Sequence, residues 1–480
     1  MNVLAASSSI VFARPEAWSF LLQFCIIGIA ILLGNIIRRK VKFMAKSLIP
    51  SALIGGLVIL VLKIFPFAQN LIDKFFMELV TYHTLALGFI CMALRSVDNK
   101  GKSTTGKIIE SGALTAGTYI IQGIVGLAIT LVLYFMYTKL GKGHEIFFAS
   151  GMLLPMGYGQ GPGQALNIGT IYQTAASENF LIDFKSIDFG LSIAAIGFIV
   201  GSVIGVLFMN RLKKQGKLSV VASHQAEVYS LDDYEQGNEI PHSESVDKLT
   251  IVFSIVLLTY FLVFLLMKLL CGLDMGNFGE NTIKPLIYGF NFLWGILFAT
   301  VVKVVIGWLR KHNFMRRNYL NNFLLNRLSG FLFDVMIVAG TAAIDFENLK
   351  QFIVPLVIVC TLGVVATFYY VLAVSKHIYN GYEYQGFLAM FGMLTGTASN
   401  GMILLREVDP KYETPAANNL AFQTIPALAM GFPILLLVGY APKSLTASFI
   451  SLGILTLMGI VFTLFLFRKK VFKKKNKDNK

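Results

Sequence analysis

Charge is scarce in this chain. Asp, Glu, Lys and Arg make up 14% of its 480 residues against 55% hydrophobic ones, and the mean hydropathy is +0.68. A soluble domain carries roughly 25% charged residues, so the composition excludes a soluble globular protein and points to several membrane spans. Cysteine is scarce too. Cys25, Cys91, Cys271 and Cys360 sit within or at the ends of apolar stretches and lack metal-type spacing. That pattern argues against a disulfide framework or a zinc site and fits buried apolar thiols. The six histidines (His83, His144, His224, His242, His312 and His377) fall mostly in predicted loops or at span ends, again without ligand spacing. There is no GxxxxGK[ST] loop to support ATP-driven pumping, and no nucleophile–base or metal set to support an intramembrane enzyme. The GYGQGPG run loosely matches a dinucleotide loop, but no strand precedes it. The N-terminal MNVLAASSSIVFARPEAW lacks a basic start, and the apolar run after it lacks a cleavage site, so that run reads as an uncleaved first span.

Apolar runs near the roughly 20-residue spanning length lie at about 18–37, 48–65, 78–95, 111–137, 187–209, 248–271, 283–309, 328–347, 350–374, 415–440 and 446–467. Two further stretches are apolar but interrupted. The first, MLLPMGYGQGPGQALNIG, runs from Met152 to Gly169, and the second, FGMLTGTASNGMILLRE, from Phe391 to Glu407. In a membrane, backbone leaves the helix only where protein or water satisfies its polar groups. Two such breaks in corresponding halves point to a transporter's binding site.

The net charge of +15 would suit nucleic acid, but the cations cluster at the ends of apolar runs, where membrane topology explains them. RRKVKFMAK (Arg38 to Lys46) places the end of the first run in the cytoplasm and the N-terminus outside. Arg211, Lys213, Lys214 and Lys217 place the end of run 187–209 inside. Segment 146–170 then begins and ends outside, as a re-entrant hairpin. RKHNFMRR (Arg310 to Arg317) and the basic tail give the mirrored result for 384–406, which begins and ends inside. On this scheme 30 of the 41 Lys and Arg residues are cytoplasmic, 10 are outside, and Lys303 lies within a run.

The expected fold is an all-α polytopic membrane protein with an inverted-topology repeat. Residues 1–210 form the first repeat and 248–440 the second, each with five spans and one hairpin. Residues 211–247, which include HQAEVYSLDDYEQGNEIPHSES, form a polar cytoplasmic linker. Residues 441–480 form an extra span and basic tail.

Hairpin 1 carries Gly157, Gly159, Gly161 and Gly163, spaced every second residue, with Pro162. Glycine permits positive φ and proline removes a donor, so the run predicts a non-helical tip; helix packing by small residues is the alternative. Gln160, Gln164 and Asn167 offer amides to a polar solute, and Tyr158 a wall. Hairpin 2 carries Thr395, Gly396, Thr397, Ser399, Asn400 and Gly401. Its hard oxygens suit sodium at Thr395, Thr397 and Ser399 and substrate at Asn400; a Ser/Thr-rich helix bonding its own carbonyls is the alternative. Arg406 can hold a carboxylate bidentately, pair with Glu407 or Asp409, or mark the cytoplasmic edge. Asp334, inside an apolar run, is a candidate for cation binding because an intramembrane carboxylate is costly; a structural pair is the bland alternative. Asn418, Asn419, Gln423 and Thr424 open the run after hairpin 2 and are expected to face it, with Gln423 on the substrate. Gln122 is a weaker candidate.

At these motifs the chain resembles the bacterial sodium/glutamate symporter family. The resemblance extends over most of the chain, from LIPSALIGGLVILVL (Leu48 to Leu62), with Ile49-Pro50 and Gly55-Gly56, through hairpin 1 and LAFQTIPALAMGFP (Leu420 to Pro433). It implies five spans and a re-entrant loop in each inverted half, sodium-driven glutamate import, and a core domain moving against a dimerised scaffold, hence a homodimer in the bacterial cytoplasmic membrane. The chain departs from a well-known form of that family. Gly157-Tyr158-Gly159-Gln160-Gly161 replaces a Gly-His-Gly-Thr-Gly run, TGTASNG replaces a Gly-rich run, and the C-terminal span and longer central loop are additional. A symporter of another small organic anion and a channel are the competing expectations. The resemblance implies sodium as the coupling ion, and no further cofactor or metal is expected.

Overall fold

A computed structural model describes residues 15–69, 71–95, 105–218, 248–274, 276, 283–315, 317, 319–409 and 414–475. Most of the expected polar linker, the extreme N-terminus and the last five residues of the basic tail lie outside the described residues. Within them every regular element is helical: α1 Pro15–Lys40, α2 Lys42–Ser47, α3 Ser51–Leu62, α4 Lys74–Leu94, α5 Thr105–Lys139, α6 Leu153–Gln160, α7 Pro162–Phe180, α8 Ser186–Lys214, α9 Lys248–Cys271, α10 Lys284–Gly289, α11 Asn291–Lys311, α12 Asn322–Ala343, α13 Phe346–Ile378, α14 Glu383–Leu394, α15 Ala398–Arg406, α16 Ala416–Phe422, α17 Thr424–Tyr440 and α18 Leu445–Lys475, with short single turns between some of them.

Ten of the described helices are long and apolar enough to cross a membrane. The eleventh expected run, 48–65, contains only the 12-residue α3, about 18 Å long by helical rise and short of the roughly 30 Å hydrocarbon core. The chain there is cut by Leu48, which takes a left-handed φ of 56°, and by Pro50. Two other expected spans are not continuous. Run 283–309 breaks at Phe290, between α10 and α11, and run 415–440 is interrupted at Gln423, between α16 and α17.

Helix starts follow from the sequence. The Asp73 carboxylate accepts from Phe76 N–H at 3.2 Å to cap α4, and Asn321 accepts from Leu324 N–H at 2.9 Å to cap α12, each satisfying an orphan donor of the first turn. These two capped helices pack on each other, as α5 does on α13.

Glycines set the closest crossings. A Cβ on Gly34 would lie 2.1 Å from Ser51 O, and one on Gly55 2.2 Å from Ala30 O, so α1 and α3 meet backbone to backbone. Gly56 abuts Thr341 of α12. The Gly55-Gly56 pair is therefore a packing device between helices. Gly126 of α5 and Gly151 cross in the same way, with added Cβ atoms at 2.1 and 2.0 Å from each other's carbonyl oxygens.

At one end of the bundle, buried Asp188 of α8 joins three helices, α8, α4 and the start of α13. It accepts from Lys74 Nζ at 3.0 and 3.1 Å, Asp345 N–H at 2.7 Å and Asn348 Nδ2 at 2.8 Å. Beside it Lys63 Nζ donates to Ala342 O and Ile344 O at 3.0 and 2.8 Å, a cation on the C-terminal end of α12.

The backbone crossings predict that Gly151→Val costs stability by overpacking, about 1–3 kcal/mol or more. The expected result is a lower melting temperature and a smaller monodisperse fraction on size exclusion. An unchanged melting curve would contradict the crossing.

Candidate functional site

Both interrupted stretches turn back on themselves. In the first, Gly157 lies against Gly190 O (3.1 Å from an added Cβ), and Gly190 lies against Ala165 O (3.0 Å). Residues 157 and 165 therefore sit at the same height on α8, and the chain reverses between them. The reversal falls on Gly161, with φ 81° and ψ −172°, a conformation essentially reserved for glycine. In the second, an added Cβ on Gly401 would sit 2.3 Å from Ala389 O and one on Gly392 2.8 Å from Gly401 Cα, so α14 and α15 form a tight antiparallel pair. The tips meet. An added Cβ on Gly161 would lie 3.1 Å from Thr397 Cγ2 and 3.6 Å from Gly396 O.

The expected glycine-rich turn is shorter than its sequence. Only Gly161 serves the turn. Gly157 and Gly159 lie inside α6 and Gly163 in the first turn of α7, where they admit Ile193, the Tyr119 ring and Leu85 respectively. For these three, the packing alternative holds. Hairpin 1 also extends beyond 170, since α7 continues to Phe180.

The main chain at each tip is satisfied asymmetrically. The first arms end in freed carbonyls, and α5 caps both: Tyr119 Oη donates to Gly159 O at 3.0 Å and Gln122 Nε2 to Leu394 O at 2.9 Å. The second arms begin at Gly161 and Thr397, and neither N-terminus has a side-chain cap. The positive end of α15, at Thr397 and Ala398, thus stays available at a cavity of about 70 Å³ that Gly159 and Gln160 of α6 also line, room for a few water-sized bodies. Gln160, Thr397, Gln423, Thr424, Thr115 and Tyr119 supply its polar groups; Phe89, Phe292, Phe333, Met336 and Met393 supply its apolar wall. Among the described residues, no acidic or basic side chain lines it.

Of the expected site residues, Gln160, Thr397 and Gln423 reach this cavity, with Gly159 of the glycine run. Thr397 Oγ1 and Gln423 Oε1 are buried without a hydrogen-bond partner, and Gln423 Nε2 meets only the Met393 sulfur, at 3.1 Å. Asn400 and Thr395 lie just behind, against α8. Asn400 Oδ1 accepts from Ser202 Oγ at 3.1 Å while its Nδ2 is unpartnered. Thr395 Oγ1 donates to Phe391 O at 2.8 Å, the back-bonding alternative for that residue. Ser399 belongs to α15, but its side chain lies outside the described residues. Gln164 and Asn167 stand further along α7; Gln164 Nε2 and Asn167 Oδ1 are buried and unpartnered.

Three candidates are elsewhere. Tyr158 points into α13, its hydroxyl donating to Cys360 O at 2.9 Å, and forms no wall of the cavity. Asp334 is two residues from cavity-lining Met336, hence on the opposite side of α12. Arg406 is exposed at the far end of α15, about 12 Å along the helix from the tip.

Sequence reasoning missed the surface on which hairpin 2 rests. Gly197, Gly201 and Gly205 of α8 admit Thr395 O, Thr395 Oγ1 and Leu404. Their four-residue spacing is the small-residue signature of close helix packing and was readable. The capping Tyr119 carried no such signal. No family model matches the chain, and no curated protein matches it.

Removing a cap leaves a buried carbonyl orphaned, which costs about 1–3 kcal/mol. Gln122→Leu and Tyr119→Phe are expected to lower thermal stability by that order, while Gln160→Leu, on the cavity wall, leaves it unchanged. Equal melting temperatures for all three variants would refute the capping roles.

Proposed function

We propose that the chain is a sodium-coupled secondary active transporter that imports a small organic anion, with glutamate as the first choice. The observation that carries this reading is the asymmetry at the tips. One half-helix, α15, presents its uncapped positive end to a cavity with no charged lining among the described residues, while the carbonyl ends of α6 and α14 are capped by Tyr119 and Gln122. Helix N-termini aimed at a mid-bundle site suit anionic groups, and the amides of Gln160 and Gln423 would add directional hydrogen bonds. Thr397 Oγ1, with Thr395 and nearby carbonyls, offers hard oxygens for sodium.

The element order in the two parts of the chain, with third helix on third and fourth on fourth, supports an inverted repeat. So do the two reversals whose tips adjoin. On that reading the N-terminus is outside and the C-terminus cytoplasmic in a bacterial cytoplasmic membrane, and two copies pair as the family resemblance implies. Coupling requires that sodium and substrate each favour the state that binds the other, by the same factor. Asp334 and Arg406 take no direct part.

Radiolabelled glutamate uptake by proteoliposomes tests the proposal. Uptake should require an inward sodium gradient. Gln423→Leu should raise the half-saturating glutamate concentration by roughly 10-fold or more, the loss of one hydrogen bond to a charged group, Thr397→Val should raise the half-saturating sodium concentration, and Arg406→Gln should leave the glutamate value within about twofold. Uptake independent of sodium would favour a channel. Competition by dicarboxylates but not by glutamate would move the reading to another organic anion.

A further inference from the structure

A second chamber lies at the end of the bundle where α4 begins and α17 ends. It measures about 540 Å³, and its walls come from α4, α7, α10 and the end of α17. Its floor is about 9 Å along α7 from the hairpin tip, six residues at the helical rise.

The break between α10 and α11 forms one wall. Three carbonyls freed in the last turn of α10 are each held by a side chain: Ile287 O by Trp294 Nε1 at 3.2 Å, Tyr288 O by Tyr82 Oη at 2.9 Å and Gly289 O by Asn167 Nδ2 at 2.7 Å. Each carbonyl oxygen keeps a second lone pair. Asn167 is 4% exposed and lines the chamber, and its Oδ1 has no partner. Glu78 and Glu178 also line it, with Lys443 as the one ammonium among the described residues of its wall. The cation nearest Glu78 on its own helix, Lys74, is engaged by Asp188, and Lys63 is engaged by carbonyls. The chamber thus gathers acceptors: an amide oxygen, main-chain carbonyls and two carboxylates. Its chemistry is opposite in sign to that of the tip cavity.

We propose that this chamber binds a small monovalent cation between Asn167 Oδ1 and the Glu78 carboxylate. The cation is either free sodium or the ammonium group of an amino acid, and the inference does not depend on the transport reading. A cleft in which carboxylates outnumber ammonium groups raises the local concentration of cations, so the chamber would load cations about 9 Å along α7 from the tip.

The test uses the purified full-length chain in detergent, with Cys25→Ser and Cys271→Ser and a reporter Thr174→Cys in the chamber wall. Modification rates are compared for cationic and anionic methanethiosulfonate reagents. The cationic reagent is expected to react about tenfold faster, the low end of electrostatic focusing. Replacing N-methylglucamine by sodium at constant ionic strength should slow it several-fold. Glu78→Gln and Asn167→Leu should each abolish the sodium effect, while Glu78→Asp preserves it and serves as the folding control. In sodium-free buffer, slowing by glutamate but not by glutarate would support the ammonium as the bound cation. Rates indifferent to sodium and to glutamate alike, or a sodium effect that survives both Glu78→Gln and Asn167→Leu, would overturn the proposal.

Discussion

Main chain that leaves the helix inside an apolar bundle must find partners for its N–H and C=O groups, because no solvent is at hand to take them. The architecture around the two reversals is organised by that demand. Gly159 O and Leu394 O, the last carbonyls before the turns, are held by Tyr119 and Gln122. At the third break, Gly289 O is held by Asn167. Each partner comes from a different stretch of sequence than the carbonyl it caps, so the breaks exist only in the assembled bundle.

The donors at these turns are treated differently from the acceptors. Neither α7 nor α15 receives a side-chain cap, and several buried polar atoms around them, on Thr397, Asn400, Gln423 and Gln164, lack partners. A protein interior pairs nearly all such groups. Atoms on Ser186, Asn291 and Ser451 also lack partners among the described residues, while many hydroxyls of the helix packing bond the preceding turn, as Thr81, Thr118 and Thr259 do.

The helices and both reversals were legible because each leaves a compositional mark: long apolar runs for the spans, and Gly, amide and hydroxyl residues where apolar ones were due. What the marks could not convey was direction. Alternating glycines looked alike in sequence, yet only Gly161 has a positive φ, and its neighbours make room for Tyr119, Ile193 and Leu85. Asp334 and Arg406 were read from residue type alone; helical phase turns one away from the cavity and helix length carries the other beyond it. The break at Phe290 was hidden because hydrophobic residues flank it on both sides, with Pro285, Gly289 and Asn291 the faint signs of it. Tyr119 gave no warning, since a tyrosine in an apolar helix has many ordinary uses.

Tyr119 and Gln122 stand one turn apart on the same helix. The two reversals are therefore clamped to a single rod, and displacing α5 drags both along with whatever is lodged between them. On the proposed transport reading, a solute held there would travel with both tips, and exposure to one side or the other would come from sliding the whole unit past the surrounding helices. Prising the tips asunder would instead mean breaking one of the two clamps.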